Sequence, residues 1–261
     1  TLIFKEEGAS ILWRLLVKKL MIRIENLTKK FDRKVLDNIT ISLPKNRVSV
    51  IVGINGSGKT TLLDCIVGLK DATSGKVFIE SYSNDSEKFK ECIFYIPSEF
   101  YLPNYMTGKE YLNFVLSRYR CSDIERIDDF LELFDLKFAG TNLIESYSFG
   151  MKKKIQIVAA ALANTDYILG DEIFNGLDFE TTLLTLELFE NLSREVGIVI
   201  ISHNKLIIER FSENILLMSN GNLTPFLGAS ENLEKEVIST EKIHEKIKYI
   251  KGYHPINRVI Y

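Results

Sequence analysis

Apolar residues at 22, 24 and 27 fall mainly on one side of an extended segment, and a second short run at 39–43 closes at Pro44. With Val35 and Ile41 these read as antiparallel edge strands, a small β layer. The apolar run at 48–52 reads as a strand that passes through a glycine-rich turn into a helix over 61–69. After Gly68 and the Ser74-Gly75 turn a strand resumes at 76–80, and another at 93–96 is stopped by Pro97. The pattern then becomes helical. Thr107-Gly108-Lys109-Glu110 and Ser122-Asp123-Ile124-Glu125 both fit the reciprocal capping box, in which a hydroxyl and a glutamate satisfy orphan N–H groups, so two helices are predicted to start there. Ile124, Ile127, Phe130, Leu131 and Phe134 recur at helical spacing, and residues 98–164 read as a helical lobe inserted between core strands. A strand of buried type at 167–172 ends on two acids. In the charged stretch 230–251, Leu233, Val237, Ile243, Ile247 and Ile250 predict an amphipathic helix that docks on its own domain or on a partner.

Composition narrows the class. With 261 residues, 46% hydrophobic and 26% charged, the chain is long enough to bury one good core in one or two lobes. A net charge of -2 argues against general nucleic-acid binding, which needs a basic footprint, and no nucleic-acid partner is expected. Cys65, Cys92 and Cys121 are an odd set without paired metal spacing and read as reduced thiols. No apolar run reaches membrane-spanning length. Residues 11–20 are amphipathic but short, interrupted by charge and without a small-residue cleavage site. Residues 1–20 therefore read as an N-terminal extension, added upstream or a native helix, before a domain over 21–228 and a tail over 229–261.

The candidate chemistry centres on Gly53-Ile54-Asn55-Gly56-Ser57-Gly58-Lys59-Thr60. Its glycines let successive N–H groups point inward as a nest for phosphate oxygens, and the following helix N-terminus adds partial positive charge. Lys59 supplies a cation for the terminal phosphates, and the Thr60 hydroxyl is suited to Mg²⁺. A nucleoside triphosphate is the natural ligand. Thr61 either packs or supports the magnesium water shell. Ligands of open α/β sheets bind outside the strand C-termini, which is where Asp171 and Glu172 stand. Asp171 is the better magnesium candidate and Glu172 the better group for polarising an attacking water.

Together these residues resemble the ATP-binding cassette (ABC) ATPases, the nucleotide-binding subunits of ABC transporters, over about residues 21–223. The motifs fall in the family order. Phe31 matches the aromatic that stacks on adenine; Gly53, Asn55, Gly56, Ser57, Gly58, Lys59, Thr60 and Thr61 match the phosphate loop and its helix start. Tyr147-Ser148-Phe149-Gly150-Met151 matches the signature, residues 168–172 the acidic strand, Gly176-Leu177-Asp178 the dimer-contact loop, and His203 the switch histidine. The resemblance implies an α/β fold: a P-loop NTPase core of ABC type with an antiparallel β layer and an inserted helical subdomain. It implies ATP and Mg²⁺ as cofactors, Glu172, His203 and Lys59 as catalytic residues, and Thr60 and Asp171 as metal ligands. In a head-to-tail dimer, homomeric or heteromeric, Ser148 and Gly150 would meet the γ-phosphate held by the other subunit. A separate transmembrane permease subunit would be the second partner, at the cytoplasmic face of the cell membrane.

The chain departs from the family pattern at several positions. The usual Leu-Ser-Gly-Gly-Gln signature has Phe149 for its first glycine and Met151 for its glutamine; the lid glutamine falls at Ser98, and Ile173 replaces the proline after the glutamate. Phe31 either stacks on adenine or covers core, and His203 either contacts phosphate and catalytic water or is a satisfied core histidine. Lys152-Lys153-Lys154 reads as a solvated helix face. Asp178 is a helix N-cap, a cross-subunit contact or both. Phe100 and Tyr101 read as anchors on a surface loop for the membrane partner, or as packing against the helix of 109–119. Residues 147–151 and the short tail resemble export-type bacterial ATPases. The alternative is a soluble ABC ATPase of translation or DNA repair, whose relatives usually carry two cassettes or a long coiled-coil insertion; neither is seen here.

Overall fold

Tyr167 joins two β-sheets through one hydroxyl, which donates to the Leu43 carbonyl at 2.9 Å and accepts from the Ile22 amide at 3.2 Å. The structure is a computed structural model, and it describes residues 21–120 and 122–228 with residues 232, 233 and 237. The first sheet is antiparallel: β1 (Met21–Lys30), β2 (Lys34–Pro44), β4 (Ser74–Ile79) and β5 (Tyr82–Ser83) lie in the order β2-β1-β4-β5. The second comprises β3 (Arg47–Val52), β6 (Ile93–Ile96), β7 (Tyr167–Asp171), β8 (Gly197–Ile201), β9 (Ile215–Ser219) and β10 (Asn222–Pro225). Its order is β10-β9-β3-β8-β7-β6, parallel except for β10. The early strands therefore form the expected antiparallel layer beside a parallel core.

Alternation along the parallel strands sends side chains to two separate cores. Ile51, Leu169, Val199 and Ile201 face Ile22, Ile24 and Leu43 of the antiparallel sheet, with Leu62 and Ile66 of α1 (Lys59–Ile66) between. Val50, Ile96, Ile168 and Ile200 face the opposite way, against the helices. Each such side chain, once fully buried, contributes about 1.5–3 kcal/mol. Gly197 is needed because a Cβ there would lie 2.2 Å from the Tyr167 ring, so the joint between the sheets also fixes the start of β8.

Between β6 and β7, which are neighbours in the sheet, the chain forms α3 (Gly108–Leu116), α4 (Ile127–Leu133) and α5 (Phe149–Leu162). Two other helices, α2 (Glu87–Glu91) before β6 and α6 (Phe179–Leu192) after β7, flank this lobe in sequence, and α7 (Lys205–Arg210) follows β8. The Thr107 capping box forms as expected, with Glu110 reaching back to the Thr107 amide at 2.8 Å. The Ser122 box does not. Ser122 instead donates its hydroxyl and its amide to the Tyr119 carbonyl, at 3.1 and 3.5 Å, so the amide that Glu125 would cap is already used, and the segment enters α4 through a 3₁₀ turn, Ile124–Arg126. The helix predicted at 61–69 begins earlier, at Lys59, and ends at Ile66. Gly75 belongs to β4 rather than a turn before it, since β1 presses so close that a Cβ would meet the Asn26 carbonyl at 2.4 Å.

Among the described residues no helix is long and apolar enough to cross a membrane. Cys65 is buried and Cys92 half-buried, both free thiols, while Cys121 lies outside the described residues, as do residues 1–20. Of the predicted tail helix, Leu233 is buried in the helix-side core and Val237 packs against it. Those two side chains dock on their own domain; the rest of the stretch lies outside the described residues.

Candidate nucleotide site

The loop after β3 is shaped by what surrounds it. A Cβ on Gly53 would lie 2.1 Å from the Met218 carbonyl of β9, so only glycine lets the chain leave the sheet there. Gly58 takes φ 109 and is the N-cap of α1, where it supplies no side-chain acceptor. The first-turn amides of α1, which have no intrahelical partner, are thus left for an anion. The buried Ser57 Oγ has no hydrogen-bond partner among the described residues, a further polar group that a triphosphate would satisfy. Asn55 and Gly56 are exposed on the same loop and Thr61 is half-buried. Lys59 is buried, and its Nζ donates to the Gly53 and Ile54 carbonyls at 2.7 and 2.9 Å. Burial lowers its pKa, opposed by the charges of Glu172 and Asp171. The ammonium is held inside the loop it serves.

Thr60 Oγ1 donates to Asp171 Oδ2 at 2.7 Å, bringing the hydroxyl and carboxylate expected of a magnesium site together. Asp171 is 1% exposed; burial raises its pKa, and the hydrogen bond from Thr60 partly offsets this. Among the described residues no cluster of three or more His, Cys, Asp or Glu could hold a metal. A divalent ion at this pair would complete its oxygen shell with substrate phosphate and water, as Mg²⁺ commonly does. The residues fit the ion.

Glu172 departs from the expected strand. β7 stops at Asp171, and Glu172 turns into the left-handed region at φ 49, a conformation costing about 1–3 kcal/mol in a non-glycine residue. Several partners fix the residue in this turn. Its amide donates to the Ile201 carbonyl at 3.1 Å, and Oε2 accepts from Asn175 Nδ2 at 2.9 Å. Oε1 lies 3.8 Å from His203 Nε2. His203 stands two residues past the end of β8, with 43% of its side chain exposed. Burial and Lys59 lower its pKa against the opposing pull of Glu172, which favours the neutral ring at pH 7. It is not a core histidine.

Phe31 is 50% exposed in the turn after β1, with Lys29 Nζ 4.9 Å from its ring centroid. It does not cover core, so a face remains for a base. Ser148 is the N-cap of α5, its Oγ accepting from the Met151 amide at 3.2 Å, and Gly150 lies against the Gly176 carbonyl. Among the described residues neither makes a hydrogen bond to the phosphate loop. Asp178 caps α6 through the Thr181 amide at 2.7 Å and pairs with Lys154 at 3.6 Å.

The three lysines are not a solvated face. Lys153 is 1% exposed, donating to the Pro97 and Ser98 carbonyls at 3.1 and 3.2 Å, because the α5 period turns it inward under the lid segment. Phe100 is half-buried, edge-on to Phe149 at 4.8 Å, whereas Tyr101 is 75% exposed. Ile173 is fully buried. Asn175 had no motif to mark it, and neither the burial of Lys153 nor the contact between Phe100 and Phe149 was expected. The spacing of Asn175 three residues after Glu172, and of Lys153 four after Phe149, was the available signal.

A strand, phosphate loop and helix facing two acids at the C-terminal edge of a parallel sheet define a P-loop nucleoside triphosphatase. The family model described as ABC transporter matches residues 36–175, more than half the chain, and the chain belongs to this ATP-binding cassette family and is an ATPase. The methionine import ATP-binding protein of Oceanobacillus iheyensis is 28% identical over 243 residues, covering 84% of this chain and 72% of that protein. The phosphonates import ATP-binding protein of Fusobacterium nucleatum is 26% identical over 240 residues, 83% of this chain and 96% of its own. A solved ATP-binding subunit of an ABC transporter superposes with TM-score 0.75 at 24% identity, covering 87% of this chain and 98% of that one. That likeness is one of fold.

Proposed function

We propose that this ATPase works as a head-to-tail dimer that closes on Mg²⁺-ATP and powers transport through a separate membrane chain. The observation that carries the reading is the Thr60–Asp171 hydrogen bond, which joins the phosphate loop to the acidic strand with Glu172 and His203 alongside. When bound, Mg²⁺ neutralises phosphate charge. Lys59 and the first-turn amides of α1 bind and orient the phosphates, while Thr60 and Asp171 offer the ion its protein oxygens. Phe31 presents its exposed face to adenine, and Asn55, Gly56, Ser57, Gly58 and Thr61 shape or line the loop. Glu172 takes a proton from the attacking water, and His203 orients that water or donates to a phosphate oxygen. Ser148 and Gly150, with no phosphate loop to bond in their own subunit, serve the partner's γ-phosphate.

The partner in the membrane is a separate chain, and the ATPase sits peripherally at the cytoplasmic face. The relatives named above do not support the export direction expected from residues 147–151 and the short tail. Those with named cargo are import subunits for methionine and phosphonates, and a zinc import ATP-binding protein of Rickettsia bellii belongs with them, which favours import. Light scattering of the Glu172→Gln chain with Mg²⁺-ATP tests the closed dimer: a mass that stays monomeric at high protein and nucleotide concentration argues against it. Co-purification with the neighbouring membrane chain tests the transporter.

A further inference from the structure

Phe149 occupies the signature position where the family usually has glycine, and its ring lies between two other loops of the site. On one side it meets Phe100 edge-on, ring centroids 4.8 Å apart at an interplanar angle of 74°. On the other it covers Gly176, where an added Cβ would lie 2.3 Å from the ring. Gly176 has φ 78, so the glycine admits both the turn and the ring. One helical turn later, on the same face of α5, Lys153 Nζ donates to the Pro97 and Ser98 carbonyls and lies 5.0 Å from the Phe100 centroid. The lid segment is therefore held at its backbone by Lys153 and at its aromatic by Phe149.

Both arms lead to the reacting acids. Ser98, whose carbonyl Lys153 holds, lines the same groove as Thr60, the hydrogen-bond partner of Asp171. Through Gly176, Phe149 abuts the loop in which Asn175 holds the Glu172 carboxylate at 2.9 Å. A glycine at 149 would remove the ring that touches both Phe100 and Gly176.

We propose that Phe149 is a positioning residue that clasps the lid segment and the loop after Glu172 to the start of α5, so that the signature and the two acids move as one body. The serine at the lid-glutamine position is too short to reach across the site, and the clasp supplies the connection from the other side. The inference rests on the composite-site reading for what arrives at Ser148, but the contacts of the clasp lie within one subunit, and the coupling between Phe149 and Phe100 reads them.

The test is a double-mutant cycle on ATP hydrolysis by the purified chain with Mg²⁺-ATP, using Phe149→Ala, Phe100→Ala and the pair, with Phe149→Tyr as the conservative variant. The expected result is a kcat about three- to thirtyfold lower for Phe149→Ala, with KM for ATP changed by less than about twofold. The pair should be no slower than the slower single variant, and Phe149→Tyr should recover most of the rate. An unchanged kcat, losses that multiply, or a Tyr variant as slow as the Ala variant would overturn the clasp. Should Phe149→Ala lose its folded circular-dichroism signal, Phe149→Leu and Phe100→Leu take its place in the same cycle with the same criteria. A Glu172→Gln chain that fails to dimerise with ATP sinks the composite site; coupling between Phe149 and Phe100 in kcat decides the clasp separately.

Discussion

Thr60 on the first turn of α1 and Asp171 at the end of β7 share a hydrogen bond of 2.7 Å, although β3, the strand that leads into α1, is separated from β7 in the sheet by β8. The bond places the charge of a carboxylate that burial has made costly at the point where a divalent cation would compensate it. Function and stability are set against each other at this pair.

Asp171→Asn should therefore stabilise the chain in the absence of nucleotide while abolishing magnesium-dependent hydrolysis. The sign follows from the raised pKa: the folded state gains stability as pH falls through that value and carries the cost of the charge above it. A gain of about 1 kcal/mol corresponds to a melting temperature about 2–4 °C higher for a chain of this size class. Melting of both proteins at pH 7 and again near pH 4 checks this; the difference should shrink at the lower pH.

Lys59→Ala should remove most ATP binding, since the ammonium is the cation built into the loop. In the wild-type chain, Mg²⁺-ATP at about a hundred times its dissociation constant adds about 2.7 kcal/mol of stability, and the variant should show little of it. Thermal shift measures both. Absence of any shift in the wild type at saturation would sink the prediction.

Glu172→Gln should slow hydrolysis by about 10² to 10⁴ while leaving ATP binding intact, the loss associated with removing a general base. Glutamine can keep the bond from Asn175 through its own carbonyl oxygen, so the turn at residue 172 is preserved. Single-turnover hydrolysis alongside nucleotide binding separates the two effects.

Much of this site was legible because its parts are contiguous in sequence. The phosphate loop and the acidic strand each declare themselves within eight residues, since the chemistry needs fixed spacing along one strand, turn and helix. What stayed hidden depends on contacts between distant segments. Three consecutive lysines look solvated until α5 turns Lys153 beneath the lid carbonyls, and Ser122-Asp123-Ile124-Glu125 looks like a cap until the Tyr119 carbonyl takes the Ser122 amide. The left-handed turn at Glu172 is invisible to alternation, because a strand pattern cannot say where its last residue stops being strand.

His203 should give hydrolysis an acid limb with an apparent pKa below 6.5, because burial and Lys59 both disfavour the imidazolium. Its linked contribution to stability is present above the unfolded value of 6.5 and is lost as pH falls through the lower folded value. His203→Gln should slow hydrolysis and remove this limb. The pH profile of kcat for both proteins reads the result.

Tyr101→Asp should keep basal hydrolysis and lose association with the membrane chain. The ring is exposed and its hydroxyl donates to Glu99 at 3.3 Å, beside a groove of about 510 Å³ that runs from Thr60 past Ser98. It does not pack on α3. Unaffected co-purification, or a collapsed fold, would count against this groove as the docking site.

The cap at Ser148 has one more consequence, found by counting protons and lone pairs. Its oxygen spends one lone pair on the Met151 amide, and its own hydrogen remains available to a phosphate oxygen arriving from outside the subunit. In the proposed composite site, helix start and nucleotide grip would thus use different ends of one hydroxyl. Aspartate at this position would keep the acceptor and discard the hydrogen, adding a negative charge where another is expected, so that a properly begun helix would repel the very group it is placed to receive.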